Sequence, residues 1–331
     1  MTSISAPFPL KRSRRLRRTD WIRAMVTETK ITTSDLIWPI FICEGSQVKE
    51  PIDSLPNVNR LSVDLALEAA KEAYNEGIPC IALFPYTPKD LKNPECSEAW
   101  NPKNLVNSAT RLIKKQLPHL GIILDVALDP YNSLGHDGLV RGKEVLNDET
   151  LIALEKQSLV QAQSGADILG PSDMMDGRIK TIRESLESNG FHNTAIMSYA
   201  AKFASSFYGP FRDAVGASSA LNGDKKTYQI NNANINEAIR EVQSDISEGA
   251  DMVMVKPGMP YLDVCKTIKD TFKVPTFAYQ VSGEYAMMEG ASINGWINGD
   301  LAILESLTSF KRSGCDGILT YFALRAAKLL N

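Results

Sequence analysis

From residue 36 onward the chain alternates two hydrophobic patterns. Short, nearly continuous apolar runs rich in Ile, Val and Leu read as strands buried on both faces. Longer stretches with apolar residues at helical spacing lie between them. The runs are LIWPIFIC (36–43), CIALFPY (80–86), GIILDVALD (121–129), ADILGPS (166–172), AIMSYAAK (195–202), DMVMVKPG (251–258), TFAYQVSG (276–283) and GILTYFA (317–323). The helical stretches DLALEAAKEAYNEG, DETLIALEKQSLVQAQSG, INEAIREVQSDISEG and LAILESLTSFKRSG each close on a glycine: Gly77, Gly165, Gly249 and Gly314. A glycine just past a helix accepts the left-handed backbone that ends it. Eight such alternations predict an α/β fold, a (β/α)8 TIM barrel spanning 36–331. A doubly wound open sheet is the alternative, but it usually carries a Gly-rich phosphate loop after its first strand, and CEGSQVKEP is not GxGxxG.

Two segments break the alternation. The gap between the fifth and sixth runs opens with FASSFYGPFRDAVGASSALNGDKKTYQINN, small and polar residues with aromatic and basic ones interspersed, which predicts an active-site lid around 203–233. Residues 1–35 form an N-terminal arm outside the barrel, in which KRSRRLRR places six basic residues in eight ahead of a short helical stretch.

With 331 residues and 44% hydrophobic composition the chain can bury a large core. Its net charge of −3 gives no global reason to expect a nucleic-acid or membrane partner. No run reaches the roughly 18 apolar residues of a membrane span. The five cysteines (Cys43, Cys80, Cys96, Cys265, Cys315) form no CxxC pair, an odd count that argues for a reducing cytoplasm. The basic start is shared with transit peptides but lacks the apolar core of a signal peptide, and a mature cytoplasmic chain is the expectation.

Barrel chemistry collects at the C-terminal ends of the strands. Those ends supply Asp125 and Asp129 from strand three, Ser172 and Asp173 from four, Tyr199 and Lys202 from five, Lys256 from six, Tyr279 and Ser282 from seven, and Tyr321 from eight. The lysines are the oddest members, because each closes an apolar run. A lysine amid apolar residues and beside another cation loses its proton easily, and the neutral amine attacks carbonyl carbon to give a Schiff base. Against this stands the ordinary alternative that each snorkels to water or pairs with a carboxylate. In DVALDPYNSLGHDG, Asp125, Asp129 and Asp137 could bind a cation or handle protons, or simply form Asp-Pro and Asp-Gly turns. Arg212, Lys225 and Lys226 in the lid could clamp a carboxylate or lie in a solvated loop. His119, His136 and His192 share no metal-ligand spacing.

Five motifs, PSDMMDGRI (171–179), YGPFRDA (208–214), MVKPGMPYLD (254–263), YQVSGEYAM (279–287) and GILTYF (317–322), occur in the order and spacing that resemble the porphobilinogen synthase (5-aminolevulinate dehydratase) family. The resemblance implies condensation of two 5-aminolevulinate molecules into a pyrrole with loss of two waters, through Schiff bases on both lysines. It gives Lys256 the substrate that becomes the propionate side and Lys202 the one that becomes the acetate side. Arg212, Lys225 and Gln229 then hold the acetate-side carboxylate, Ser282 and Tyr321 the propionate-side one, and Ser172, Tyr199, Phe211 and Tyr279 line the substrate site. Zinc-dependent members carry cysteines where this chain has Ala127, Asp129 and Asp137, so the resemblance is to the aspartate-rich branch: no catalytic zinc, no organic cofactor, and Mg2+ at an allosteric position matched by Glu241. It also implies a homo-octamer in which the arms wrap neighbouring barrels.

Two other readings compete. A class I aldolase needs one barrel lysine and leaves the second unexplained. An RNA-binding or assembly protein would use the basic arm, but the arm has little aromatic content beyond Trp21 and the rest of the chain is acidic in balance.

Overall fold

The computed structural model describes residues 6–216 and 223–331. The first five residues of the predicted arm and residues 217–222 of the predicted lid lie outside the described residues.

All eight apolar runs are strands: β1 (Leu36–Cys43), β2 (Cys80–Pro85), β3 (Gly121–Val126), β4 (Ile168–Pro171), β5 (Ala195–Lys202), β6 (Met252–Lys256), β7 (Thr276–Gln280) and β8 (Gly317–Thr320). Each pairs in parallel with the next. The sheet closes where Leu36 and Ile37 of β1 register with Ile318 and Leu319 of β8, as the (β/α)8 reading requires. Burial explains why the runs are apolar throughout: every residue of β2 and β8 is buried, as are all but the first of β5 and β6. One strand face packs the barrel interior and the other faces helices.

The outer layer is α1 (Val63–Asn75), α2 (Leu105–Gln116), α3 (Asn147–Ser164), α4 (Arg178–Ser188), α5 (Ile235–Ser247), α6 (Leu262–Phe272), α7 (Ser282–Ile293), α8 (Gly299–Arg312) and α9 (Ala323–Leu330). The closing glycines act as expected. Gly165, directly after α3, has φ of 99° and Gly249, after α5, 107°, left-handed values that a Cβ would strain.

Six of the eight strands end earlier than their runs, which corrects the placement of several polar residues. β3 stops at Val126, so Asp129 belongs to the following loop and only Asp125 to the strand. Ser172 and Asp173 follow β4, Tyr321 follows β8, and Ser282 opens α7 instead of ending β7. Four short strands had no readable signal. Lys49–Pro51 pairs antiparallel with Asn59–Ser62, which extends the sheet beside β1, and Leu139–Arg141 pairs with Glu144–Leu146. These are three or four residues long, with polar residues among them, too short to show a period.

The mouth of the barrel is aromatic. Phe41, Phe84, Tyr199, Tyr279 and Tyr321 form a chain of rings with centroids 5.8–6.4 Å apart. The segment read as a lid adds a short helix, Gly209–Ala214, whose Phe211 ring sits 5.8 Å from Phe41 and 5.3 Å from Phe84. Each such pair contributes about 0.5–1.5 kcal/mol beyond area burial, so the described part of the lid is held down by packing. In the arm, the 3-10 turn Ser13–Arg17 and the helix Asp20–Met25 bury no residue.

Candidate active site

Lys202 and Lys256 occupy matching positions at the ends of β5 and β6, directly paired across the ladder. Both are buried. Their surroundings differ. The Lys256 ammonium lies 4.8–5.5 Å from the ring centres of Tyr199, Tyr208, Phe211 and Tyr279, and among the described residues it takes no hydrogen bond or ion pair. Burial, reinforced by the Lys202 charge, pulls its pKa down from 10.5 to about 7. Lys202 is instead fully engaged: it donates to Asp137 Oδ1 at 2.9 Å and to the Ser172 carbonyl.

Three carboxylates face the lysines. Asp125 points from β3 with Oδ1 unpartnered. Burial, and next the Asp129 charge, push its pKa up to about 6 despite the pull of Lys256. Asp137 is the most shared group. Burial works against its charge, but Lys202 and Lys225 overcome it and hold the carboxyl well below the usual range. Lys225 reaches in from the lid, 2.5 Å from Asp137 Oδ2 and 3.3 Å from Asp129 Oδ2. Burial opposes its charge too, and the two aspartates outweigh that to raise its pKa. The cluster therefore sets Lys202, Lys225 and Lys256 against Asp125, Asp129 and Asp137, with one amine, Lys256, poised near neutrality.

The remaining sequence-derived residues converge on the same mouth, with qualifications. Tyr279 and Tyr321 join hydroxyls at 2.9 Å. The buried Ser282 hydroxyl accepts the Phe211 N–H at 2.9 Å and donates to the Phe207 carbonyl at 3.3 Å, so it grips the lid. Ser172 contributes its carbonyl, Tyr199 its ring. Gln229 is buried, its N–H bonded to the Lys225 carbonyl at 3.0 Å, and Arg212 on the lid helix lies near enough for Lys225 and Tyr208 to feel its charge. Lys226 points outward and pairs with Asp224. Three residues were missed as site members. Tyr208 forms one wall around Lys256 and donates to the Phe203 and Lys256 carbonyls. Tyr228 donates to Asp137 Oδ2 at 2.8 Å, and His136 Nδ1 lies 3.2 Å from the same hydroxyl. Tyr208 lies inside the YGPFRDA motif and Tyr228 one residue before Gln229, but neither has a period or spacing that marks it as chemical.

Glu241 stands apart from this cluster. It is half-buried on α5 and lines a cavity of ≈ 380 Å³ together with Asp176, Glu237 and the lid residues 226–230. Burial raises its pKa against the pull of Arg178, and Asp245, Asp176 and Glu237 add to the rise. Among the described residues no group of three or more His, Cys, Asp or Glu is arranged to hold a metal ion. A hydrated Mg2+, which keeps several waters and uses one or two carboxylates, asks for less than that, and Glu241 fits it.

A family model described as delta-aminolevulinic acid dehydratase matches residues 10–329. The delta-aminolevulinic acid dehydratase of Bradyrhizobium diazoefficiens is 59% identical over 319 residues, covering 96% of this chain and 90% of the relative. That of Rhodobacter capsulatus is 56% identical, covering 100% and 99%. Among solved structures, the delta-aminolevulinic acid dehydratase (porphobilinogen synthase) of Toxoplasma gondii ME49, in complex with the reaction product porphobilinogen, superposes with a TM-score of 0.94 at 45% identity, covering 96% of this chain and 91% of that one.

Proposed function

Since the chain belongs to the delta-aminolevulinic acid dehydratase family, and is a porphobilinogen synthase that condenses two molecules of 5-aminolevulinate into porphobilinogen in heme biosynthesis, we propose that Lys256 and Lys202 carry the condensation as paired Schiff-base lysines. The observation that supports this is the environment of Lys256: buried among four rings, with a pKa of about 7, it is substantially a free amine at neutral pH. Attack on the substrate ketone forms an imine and releases one water. Asp125, at about 6 and near enough to feel the Lys256 charge, is matched to move protons at that step.

Lys256 takes the propionate-side substrate, with Ser282 and Tyr321 at its carboxylate. Lys202 takes the acetate-side substrate, with Arg212, Lys225 and Gln229 at the other. Lys225 reaches that carboxylate by exchanging Asp129 and Asp137 for it, which adds the substrate to the lid's attachments. Ser172, Tyr199, Phe211 and Tyr279 enclose the reacting carbons.

Catalytic zinc has no part in this reading. At the cysteine positions of zinc-dependent relatives stand Ala127, Asp129 and Asp137, and both aspartates already face the Lys225 ammonium. No organic cofactor is called for, because the lysines supply the carbonyl chemistry. Glu241 would hold an allosteric Mg2+, which would supply positive charge beside the lid residues that line the same cavity. The working form is a cytoplasmic homo-octamer joined through the arms. All five cysteines are free and buried, as a reducing compartment allows, and no helix among the described residues is long and apolar enough to cross a membrane.

Borohydride reduction during turnover tests the lysine assignment, since an imine is reduced to a stable secondary amine and a salt bridge is not. Mass mapping should place substrate mainly on Lys256, with a smaller fraction on Lys202. Two unmodified lysines would sink the assignment.

A further inference from the structure

We propose that Tyr228 is a positioning residue for Lys202, acting through Asp137: its hydroxyl keeps the Asp137 carboxylate oriented on Lys202 after the lid lysine turns to the substrate. The inference deepens the reading of Lys202 as a Schiff-base lysine and Lys225 as a substrate clamp, and rests on both.

Asp137 lies in the loop after β3, with 1% of its surface exposed. Its two oxygens have separate duties. Oδ1 meets Lys202 at 2.9 Å; Oδ2 meets Lys225 at 2.5 Å and the Tyr228 hydroxyl at 2.8 Å. A buried carboxylate whose oxygens are bonded on both sides cannot rotate without breaking a charge-assisted bond. Lys225 is the temporary partner, because the substrate's carboxylate competes for it. Once it leaves, Tyr228 is the described side chain still bonded to Oδ2. The hydroxyl is itself fixed, since the Asp137 backbone N–H donates to it at 3.4 Å, His136 Nδ1 stands 3.2 Å away, and the His136 and Tyr228 rings meet edge to face at 6.1 Å.

The placement has a selective consequence. Among the described residues, the Lys256 ammonium has no hydrogen bond to this network, whereas the Lys202 ammonium bonds Asp137 and the Ser172 carbonyl. Freeing Asp137 therefore disturbs the amine at Lys202 and leaves the one at Lys256 in its aromatic surroundings.

Tyr228→Phe keeps the ring against His136 and removes the hydroxyl. A hydrogen bond to a charged group is worth enough that its loss should lower kcat by about 10- to 100-fold, with KM within about twofold. Borohydride trapping with 5-aminolevulinate distinguishes the causes. In the variant the Lys256 adduct should match the parent's while the Lys202 adduct falls by severalfold, with an unchanged Tm. Equal trapping at both lysines in variant and parent would overturn the inference, and so would a parallel loss at both with a lowered Tm, which marks a structural role. A parent enzyme that traps substrate on Lys256 but never on Lys202 would overturn the two-lysine reading itself, and the inference with it, whatever the variant does.

Discussion

Lys256 was legible as an anomaly because its neighbours are so uniform: Met252, Val253, Met254 and Val255 leave no ambiguity that the strand is buried, so the ammonium had to be buried too. Lys202 was legible for the same reason. What a one-dimensional reading could not supply is the grouping of Asp137, Lys225 and Tyr228, which come from a loop and from the 203–233 segment and meet mainly through side chains. Burying an amine with no carboxylate bonded to it carries a stability cost that depends on pH. Below about 7 Lys256 is protonated in both the folded and unfolded chain, and the folded state bears the full desolvation of the charge. Between about 7 and 10.5 the unfolded chain binds the extra proton, so this lysine's contribution to stability improves as pH rises. Lys256→Met should therefore raise Tm at pH 6, by about 2–6 °C, while the gain shrinks toward pH 9. Pyrrole formation should fall by about a thousandfold or more. Thermal melts at the two pH values check it, and a variant less stable at pH 6 would show that the ammonium is paired in solution.

At the scale of elements, the eight strands and the glycines that close the helices were readable because each follows from local physics, a doubly covered apolar run or a left-handed residue. The 203–233 segment was readable only as an irregularity in composition. Its attachment depends on a close approach that a sequence does not advertise: at Gly283, in the first turn of α7, a Cβ would lie 2.6 Å from the Phe207 carbonyl oxygen and 2.8 Å from its Cα. These are backbone atoms and cannot swing aside. Together with the Ser282 hydroxyl, which bonds Phe207 and Phe211, this contact sets the lid's height above the Lys256 rings. Gly283→Ala should lift the lid helix while leaving the barrel intact. The expected result is a KM for 5-aminolevulinate raised by about 3- to 10-fold, faster proteolysis within 203–233, and nearly unchanged far-UV circular dichroism. An unchanged KM would mean that the Phe207 contact plays no part in closing the site.

The arm belongs to the scale of the whole molecule, and there the sequence and the single chain pose the same question. The sequence marks it as basic and outside the barrel alternation. The structure adds that its end meets the barrel through Ile31 and the Asp35–Lys311 pair, whereas further toward the N-terminus it makes contacts within itself: Arg12 stacks over the Phe8 ring at 4.4 Å, Arg15 donates to the Leu10 carbonyl at 2.8 Å, and Arg23 to the Arg17 carbonyl at 2.7 Å. Phe8, Leu10, Leu16, Trp21 and Met25 all remain exposed, Trp21 by 65% and Met25 by 71%. A segment that orders apolar side chains in water without covering them gains little stability alone, and the same side chains suit the buried centre of an interface. On the barrel, a groove of ≈ 600 Å³ is lined by Trp38, Ile40, Leu61 and Tyr285 together with acidic and basic residues, among them Glu68, Glu72, Lys49 and Arg325, and its apolar part suits the exposed apolar side chains of the arm. Tyr285 of that groove packs against Tyr321 at 5.5 Å, which bonds Tyr279 beside Lys256, so an arm seated there would press on the wall of the active site. Assembly and turnover should then be coupled. Deleting residues 1–18 should yield species smaller than the octamer by light scattering, and reduced pyrrole formation at equal subunit concentration. The barrel's melting transition should persist, because none of the described residues in the deletion contributes to its core. An unchanged octamer with full turnover would show that neither assembly nor catalysis depends on those residues, and would move the intersubunit contact to the barrel surfaces.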